Sequence, residues 1–163
     1  MANFKARARA LDMLGRQQIA GIPTAISELF KNAHDAYADN VVADYFAAEN
    51  LFVLRDDGVG MSEKDFLQRW LVLGTESKVN SIAGLKPPPG DTKKPLRHVL
   101  GEKGIGRLAI AAIGPQVLIL TRAKKTDGNS TDEDNPLVAA FIHWGLFEIP
   151  GVDLDEIEVN ARL

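Results

Sequence analysis

The sequence predicts an α/β domain, because helical and strand patterns alternate along it. Apolar residues recur at helical spacing within the first 40 residues or so, whereas two short apolar runs at 41–46 and 51–56 are typical of strands. Two further strand-like runs, at 116–122 and 137–144, follow a long irregular stretch. The chain has 163 residues, of which 45% are hydrophobic and 25% charged, so one soluble domain with a sizeable core is expected.

The composition excludes several kinds of site. There is no cysteine, which rules out disulfides, thiol catalysis and cysteine-ligated zinc, and the three histidines lack the spacing of a zinc site. The net charge of -3 gives no general affinity for nucleic acid or anionic membranes. No apolar run approaches the roughly 20 residues that span a bilayer. The basic N-terminus has no apolar signal core, so a cytoplasmic protein is expected.

Two helices are predicted at the start of the chain. Residues 3–15 have apolar side chains near helical spacing, and Gly15 is a plausible stop. Pro23 suits the first turn of a second helix that runs to about Tyr37. The second helix is therefore expected to be the longer of the two.

The second helix carries a polar stripe. Glu28, Asn32 and Asp35 fall at i, i+4 and i+7, and therefore on one narrow face. The opposite side is apolar and is expected to face the core, with Ile26, Phe30, Ala33 and Tyr37. A solvated helix face is the ordinary interpretation of such a stripe, so its meaning depends on the motifs that follow.

The first strand pair ends in a glycine-containing motif. Val41–Phe46 and Leu51–Asp56 predict a hairpin, and Asp56-x-Gly58-x-Gly60 follows the second strand directly. Glycines two residues apart let the chain turn tightly and let a flat ligand approach without a Cβ collision. A carboxylate at a strand end can accept a hydrogen bond from an exocyclic amine such as that of adenine. A plain Asp-Gly turn is the alternative for this motif alone.

A helix and a long irregular segment come next. Ser62 and Asp65 resemble a capping box and predict a helix from about Glu63 to Leu71, with a buried face of Phe66, Leu67 and Trp70. Residues 74–100 then lack periodicity, and they contain a Pro-Pro-Pro-Gly run and an excess of basic residues. A loop of that length inside a compact domain is usually a functional lid or is disordered.

A second glycine-rich motif, Gly101-x-x-Gly104-x-Gly106, precedes an alanine-rich helix that ends near Gly114. Its amides, together with the charges of Lys103 and Arg107, would suit an anion such as phosphate. A helix N-terminal turn made of small residues is the alternative. No Gly-Lys-Ser/Thr follows, so this is not a Walker A loop.

Residues 104–109 also match the dinucleotide-binding fingerprint, but that fingerprint should follow a first strand. Here it follows a proline- and lysine-rich loop, and this interpretation is therefore disfavoured. Beyond it, strands are predicted at Gln116–Arg122 and Leu137–Trp144, separated by a polar loop. Ile157–Val159 gives a weak final strand signal.

Taken together and in order, four segments resemble the GHKL ATPases, the superfamily that includes DNA gyrase B, heat-shock protein 90, the sensor histidine kinases and mismatch-repair MutL. The resemblance covers roughly residues 20–122. The four segments are Glu28-x-x-x-Asn32-x-x-Asp35-Ala36, Asp56-x-Gly58-x-Gly60-Met61, Leu73-Gly74-Thr75-Glu76-Ser77-Lys78 and Gly101-x-x-Gly104-x-Gly106.

The resemblance implies the Bergerat fold, a two-layer sandwich of a mixed, mostly antiparallel sheet with helices on one face. ATP would lie between the helices and a lid formed by residues 74–100. Asn32 would ligate Mg²⁺ through an oxygen donor, and Glu28 would orient and deprotonate the attacking water. Asp35 would support the helix face or reach the nucleotide through water.

The resemblance also implies which residues contact the nucleotide. Asp56 would accept from the adenine amine, and Gly58, Gly60 and Met61 would line the base pocket. Lys78 is expected among the nucleotide-binding residues. The phosphates would be wrapped by the glycine-rich run and its basic neighbours, which are Gly101, Lys103, Gly104, Ile105, Gly106 and Arg107.

Glu28 favours the hydrolysing branch of the superfamily, because histidine kinases generally lack an activating glutamate at this position. The motifs most resemble prokaryotic chaperone-like and Morc-like members. One departure is the late-strand threonine that contacts the phosphates in relatives, since the only candidate here, Thr121, comes too early. By the same resemblance, the final strands and the second domain of relatives would be missing from this sequence.

The resemblance therefore implies an N-terminal piece of a slow ATPase. In the full-length protein, ATP would drive lid closure and formation of a homodimer, while a client protein or nucleic acid is not specified. Two alternatives stay open. One is a nucleotide-binding module without turnover, and the other, ranked last, is a histidine-kinase-like phosphotransfer core.

Overall fold

The computed structural model describes residues 6–17, 19–72, 84–101, 106–124 and 135–162. Its helices are α1 (Ala8–Asp12), α2 (Ile22–Asp35), α3 (Glu63–Asp65) and α4 (Ile110–Ile113), and its strands are β1 (Val41–Phe46), β2 (Leu51–Asp56), β3 (Gln116–Thr121), β4 (Val138–His143) and β5 (Asn160–Arg162). Wide π-helical turns extend α1 and α3 over Met13–Gln17 and Phe66–Trp70. Short 3₁₀ turns lie at Pro89–Asp91, Gly106–Ala109, Trp144–Glu148 and Leu154–Glu156.

The predicted α/β class is confirmed. The bounds of β1 and β2 match the prediction, β3 is one residue shorter at its end, and β4 is one residue shorter at each end. The predicted capping box is present, because Ser62 Oγ accepts from Asp65 N at 3.1 Å. The same hydroxyl donates to the Asp65 carboxylate, and this hydrogen bond lowers the pKa of that group.

One prediction about the strands is wrong. The last described strand is β5, not Ile157–Val159, and the side chains at 157 and 159 pack on the core instead. The described strands form two antiparallel sheets. One sheet is the β1–β2 hairpin and the other has the order β3-β4-β5. Alternating apolar residues indicate which side chains pack on the core, but a strand forms only where its backbone can pair with a neighbouring strand. For β5, that neighbour is Ala139–Phe141 of β4.

The two sheets are joined at the loop that follows β2. Lys124 N donates to Val59 O at 2.8 Å, and Met61 N donates to Thr121 Oγ1 at 3.0 Å. Both bonds connect the loop to the end of β3. The glycine motif after β2 is therefore held by one backbone contact and one side-chain contact from the end of β3.

The core is built on the second sheet. Its largest fully buried side chains are Phe66 and Val138, and the Phe66 ring stacks on Trp70 with centroids 5.2 Å apart. Burying one such side chain stabilises the fold by roughly 1.5–3 kcal/mol. Leu67, predicted to be buried on the same helix, is 39% exposed, because the chain widens into a π-helical turn there and presents Leu67 to solvent.

Helix α2 uses small residues for its closest packing. Ala25 and Ala33 are buried, and the helix packs against the Gly106–Ala109 turn and α4. Phe30, predicted to face the core, is 41% exposed. Ala33, predicted on the same face as Phe30, is buried as expected. A short side chain lets backbones approach closely, which suits the contact of α2 with the Gly106–Ala109 turn.

Candidate functional site

Gly106 lies directly against two residues of the polar stripe. A Cβ atom added at Gly106 would be 3.0 Å from Glu28 Oε2 and 3.8 Å from Asn32 Oδ1. The other Glu28 oxygen, Oε1, accepts from Lys31 Nζ at 2.7 Å. The turn after the glycine-rich run therefore brings its backbone onto the carboxylate and amide of α2.

Asp35 holds the beginning of the same run. Its side chain is 5% exposed, and its two oxygens accept from Leu100 N at 3.0 Å and from Gly101 N at 3.1 Å. His34 Nδ1 lies 3.4 Å from one of these oxygens. Hydrogen bonds to a carboxylate are stronger than those between neutral groups, so Asp35 is a firm attachment for this backbone.

The loop after β2 lies on the C-terminal end of α2. Val59 N donates to Ala36 O at 2.8 Å, and a Cβ added at Gly58 would be only 2.8 Å from the same oxygen. Asp56, exposed at the end of β2, accepts from Gly58 N through Oδ1 at 2.9 Å. Gly58 is therefore required by close packing on the helix end.

Gly60 is required for a different reason. Its φ is +65°, and a Cβ there would lie 1.9 Å from Arg122 O, which no side chain could tolerate. The next residue, Met61, is fixed by the bond from its amide to Thr121 Oγ1. This supporting role of Thr121 was not predicted, because the only indication in the sequence was its position at the end of a strand.

Asp57 differs from its neighbour Asp56. It accepts hydrogen bonds from Asp39 N at 2.7 Å, Asn40 N at 2.9 Å and Asn40 Nδ2 at 2.8 Å. The hydrogen bonds from Asn40 are the main cause that lowers the pKa of Asp57 to about 2. Asp57 thus ties the start of β1 to the end of β2, and the motif alone did not reveal this function.

Arg107 lies beside α3. Its guanidinium donates to the carbonyl oxygens of Arg69 and Val72, so it satisfies groups at the end of that helical segment. Burial lowers the pKa of the guanidinium. The predicted contact of Arg107 with phosphate stays a prediction. Lys78, Lys103, Gly104 and Ile105 lie outside the described residues.

The described part of the predicted lid, residues 84–100, is attached to the end of α2. Tyr37, predicted to be a core residue, is buried, but its hydroxyl reaches the backbone of this segment at Arg97 N, 3.3 Å away. Arg97 in turn donates to backbone carbonyls at the end of α2. No sequence pattern indicated this role of Arg97, which was part of a general excess of basic residues in the segment.

The donor chemistry of this face fits a Mg²⁺ ion that is also bound by a nucleotide. Asn32 Oδ1 and the Glu28 carboxylate offer the oxygen donors that Mg²⁺ prefers. Among the described residues, no group of three or more His, Asp or Glu side chains could hold a metal ion by itself. Mg²⁺ commonly takes one or two protein ligands and completes its shell with phosphate and water.

Two further features of the described residues bear on the site. A groove of about 330 Å³, lined by Ser62, Lys64 and Leu67 of the α3 region, contains none of the residues predicted to bind nucleotide. Within the described ranges, no helix has the length and apolar character to span a membrane.

Comparisons with known proteins found a family model and two relatives to which this chain is similar. A family model described as "Histidine kinase-, DNA gyrase B-, and HSP90-like ATPase" matches residues 21–135. The chain is 37% identical over 89 residues to "Putative type II restriction enzyme HgiDII" of Herpetosiphon aurantiacus, and 26% identical over 85 residues to "Chaperone protein HtpG" of Wigglesworthia glossinidia brevipalpis. These alignments cover 53% and 52% of this chain, but only 12% and 13% of the two relatives.

Proposed function

Because this chain belongs to the histidine kinase-, DNA gyrase B- and HSP90-like ATPase family, whose ATPase domains bind ATP, we propose that it binds Mg-ATP on the polar face of α2. One observation carries the proposal. The glycine-rich turn lies at Gly106 against Glu28 and Asn32, while Asp35 holds the amides at the start of the run. A glycine backbone placed over a carboxylate and an amide oxygen is suited to phosphates with an associated metal ion.

The spacing along α2 supports this placement. The loop that would hold the base is attached at Ala36, and the glycine-rich turn lies beside Glu28, eight residues earlier. Eight residues of α-helix rise about 12 Å. That separation is comparable with the distance from the base to the terminal phosphate of an extended nucleotide.

The adenine would bind at the loop after β2. Asp56 is exposed at the strand end, where its carboxylate can accept from the exocyclic amine, and Gly58, Gly60 and Met61 would line the pocket. Asn32 would hold Mg²⁺, which when bound would neutralise phosphate charge. Gly101 and Gly106 would contact the phosphates, as would Lys78, Lys103, Gly104, Ile105 and Arg107.

Glu28 would act as general base in hydrolysis. The water oxygen would attack the γ-phosphorus, the bond to ADP would break, and the water proton would pass to the Glu28 carboxylate. Lys31 holds one carboxylate oxygen at 2.7 Å, and the other oxygen faces Gly106. This arrangement favours a fixed carboxylate orientation towards the phosphate end of the site.

Replacing the base should separate binding from turnover. In the full-length protein, Glu28→Gln should bind ATP as the wild type does but release phosphate at least about 100-fold more slowly, because general-base catalysis typically contributes that much. Glu49→Gln, in the exposed hairpin turn, is the matched control and should be unaffected. Phosphate release by Glu28→Gln at the wild-type rate would refute the assignment.

Replacing the adenine acceptor should abolish binding. Asp56→Asn exchanges an acceptor oxygen for a donor, so the adenine amine would face an unfavourable partner, and ATP binding should be lost in calorimetry. The control is Asp44→Asn, a half-buried carboxylate on β1 that pairs with Arg55. Micromolar affinity retained by Asp56→Asn would overturn the adenine assignment.

We further propose that ATP drives lid closure and homodimer formation in the full-length protein. Sedimentation with and without a non-hydrolysable ATP analogue would test this, and a monomer in both conditions would contradict it. The second candidate function is a nucleotide-binding module without turnover, which the Lys31–Glu28 ion pair favours because it occupies one oxygen of the base. Bound ATP without phosphate release from the full-length protein would support that candidate.

A further inference from the structure

We propose that Arg97 and Tyr37 are positioning residues for the nucleotide site. Together they would fix residues 84–101 on the C-terminal end of α2 and thereby set the place of the glycine-rich run relative to Asn32. The functional consequence rests on the proposed ATP binding, whereas the attachment itself can be tested without nucleotide.

Residues 85–97 form a closed loop with a narrow neck. Leu85 N donates to Arg97 O at 2.7 Å, and Arg97 N lies 3.3 Å from Leu85 O, which makes an antiparallel bridge. Farther out, Lys94 pairs with Asp91 at 2.9 Å and with Asp39 at the end of α2. These two carboxylates raise the pKa of Lys94. The loop is therefore attached both at its neck and along one side.

Tyr37 places its hydroxyl at this neck. The hydroxyl donates to Leu85 O, lies 3.2 Å from Pro95 O, and accepts from Arg97 N at 3.3 Å. Tyr37 itself has a φ of +59°, a left-handed conformation that is unusual for a bulky residue. Such a conformation persists when surrounding contacts enforce it, and residues of this kind cluster at functional sites.

The Arg97 side chain caps α2. Its Nη1 donates to His34 O at 3.0 Å and to Ala38 O at 2.9 Å, and its guanidinium carbon lies 4.8 Å from the centre of the Tyr37 ring. The last carbonyls of a helix lack intrahelical partners and favour a cation. The planar guanidinium also interacts favourably with an aromatic face. Arg97 thus contacts both the carbonyl oxygens at the end of α2 and the ring of Tyr37, which follows the helix.

This attachment is continuous with the proposed site. Three residues after Arg97, the amides of Leu100 and Gly101 bond to Asp35, one turn beyond Asn32 on the same helix. Segment 97–101 is therefore fixed to α2 at both of its ends. It could not slide along the helix without breaking the Arg97 or the Asp35 contacts, so the register between the glycine-rich run and Asn32 depends on both.

The test combines calorimetry with amide hydrogen exchange on four variants. Arg97→Ala should weaken Mg-ATP binding at least tenfold and speed exchange at the amides of Leu85, Leu100 and Gly101. Arg97→Lys should recover part of both properties, because an ammonium keeps the charge but lacks the planar group that lies over the Tyr37 ring. Tyr37→Phe removes only the hydroxyl, and it should also weaken Mg-ATP binding and speed exchange at these three amides. Lys93→Ala, on the exposed side of the same loop, is the control and should change neither property.

The outcomes separate this inference from the proposed function. A wild-type protein that does not bind Mg-ATP contradicts the proposed function, and hydrogen exchange still decides whether Arg97 fixes the segment. Wild-type affinity in Arg97→Ala, measured well below its melting temperature, would overturn the positioning role, as would wild-type exchange at the three amides. A lowered melting temperature with unchanged affinity would show a merely structural residue.

Discussion

Asp57 shows how one side chain fixes the loop that would hold the base. It accepts from the backbone of Asp39 and Asn40 and from the Asn40 side chain, and Lys124 Nζ donates to its carbonyl oxygen. The neighbouring Asp56 keeps its carboxylate exposed at the strand end. Both are aspartates within one motif, so only the folded backbone distinguishes a structural carboxylate from one available to a ligand.

The lowered pKa of Asp57 predicts a pH dependence. Its folded pKa of about 2 lies below the ordinary 3.8, so its contribution to stability is complete above about pH 4 and is lost as the pH falls towards 2. Asp57→Asn should therefore be less stable than the wild type at neutral pH, and the difference should shrink between pH 4 and pH 2. Urea unfolding across this range measures it, and a difference independent of pH would contradict the assignment.

At the scale of elements, α2 organises the site. Its middle carries Glu28 and Asn32 beside Gly106, and its C-terminal end supports the loop after β2 through Ala36. The 3.6-residue periodicity predicted the polar stripe, the helix and a packed side that includes Ala33 and Tyr37, both of which are buried. It also placed Phe30 on that side, although Phe30 is 41% exposed, and it did not single out the fully buried Ala25, because hydrophobicity alone does not encode how near two backbones must come.

The packed side of α2 can be tested by size. Ala33 is 3% exposed, so Ala33→Leu should overpack the contact and cost about 1–3 kcal/mol of unfolding free energy. Phe30→Ala, at a residue 41% exposed, should cost less although it removes far more side chain. Urea unfolding of both variants measures the two losses of unfolding free energy. A larger loss for Phe30→Ala than for Ala33→Leu would contradict this packing.

At the scale of the whole molecule, the order of the motifs carried most of the predictable information. The motifs at Glu28–Ala36 and Asp56–Met61 fall on a helix and on a strand end as predicted, and the structure brings the first of them to Gly106. The contacts of Thr121, Tyr37 and Arg97 were not predictable, because each joins residues about 50 or more positions apart through a single side chain. Such contacts leave no periodic trace in a sequence.

The division into two sheets was likewise not predictable. The apolar pattern of each segment indicates a strand, but it does not show with which other strand that segment pairs. The loop after β2 joins the sheets through Val59 and Met61, so the proposed base pocket lies where they meet. Substitutions in either sheet are therefore expected to alter the geometry of the proposed base pocket.

We propose that Mg-ATP binds on the polar face of α2, between the loop after β2 and the glycine-rich turn. The decisive measurement is a titration of the isotope-labelled protein with Mg-ATP, followed by the amide chemical shifts of each residue. We expect saturable shifts at Glu28, Asn32, Gly58, Met61, Gly101 and Gly106, with little change along β5. No saturable change, or changes confined to the groove beside α3 at Ser62, Lys64 and Leu67, would contradict it.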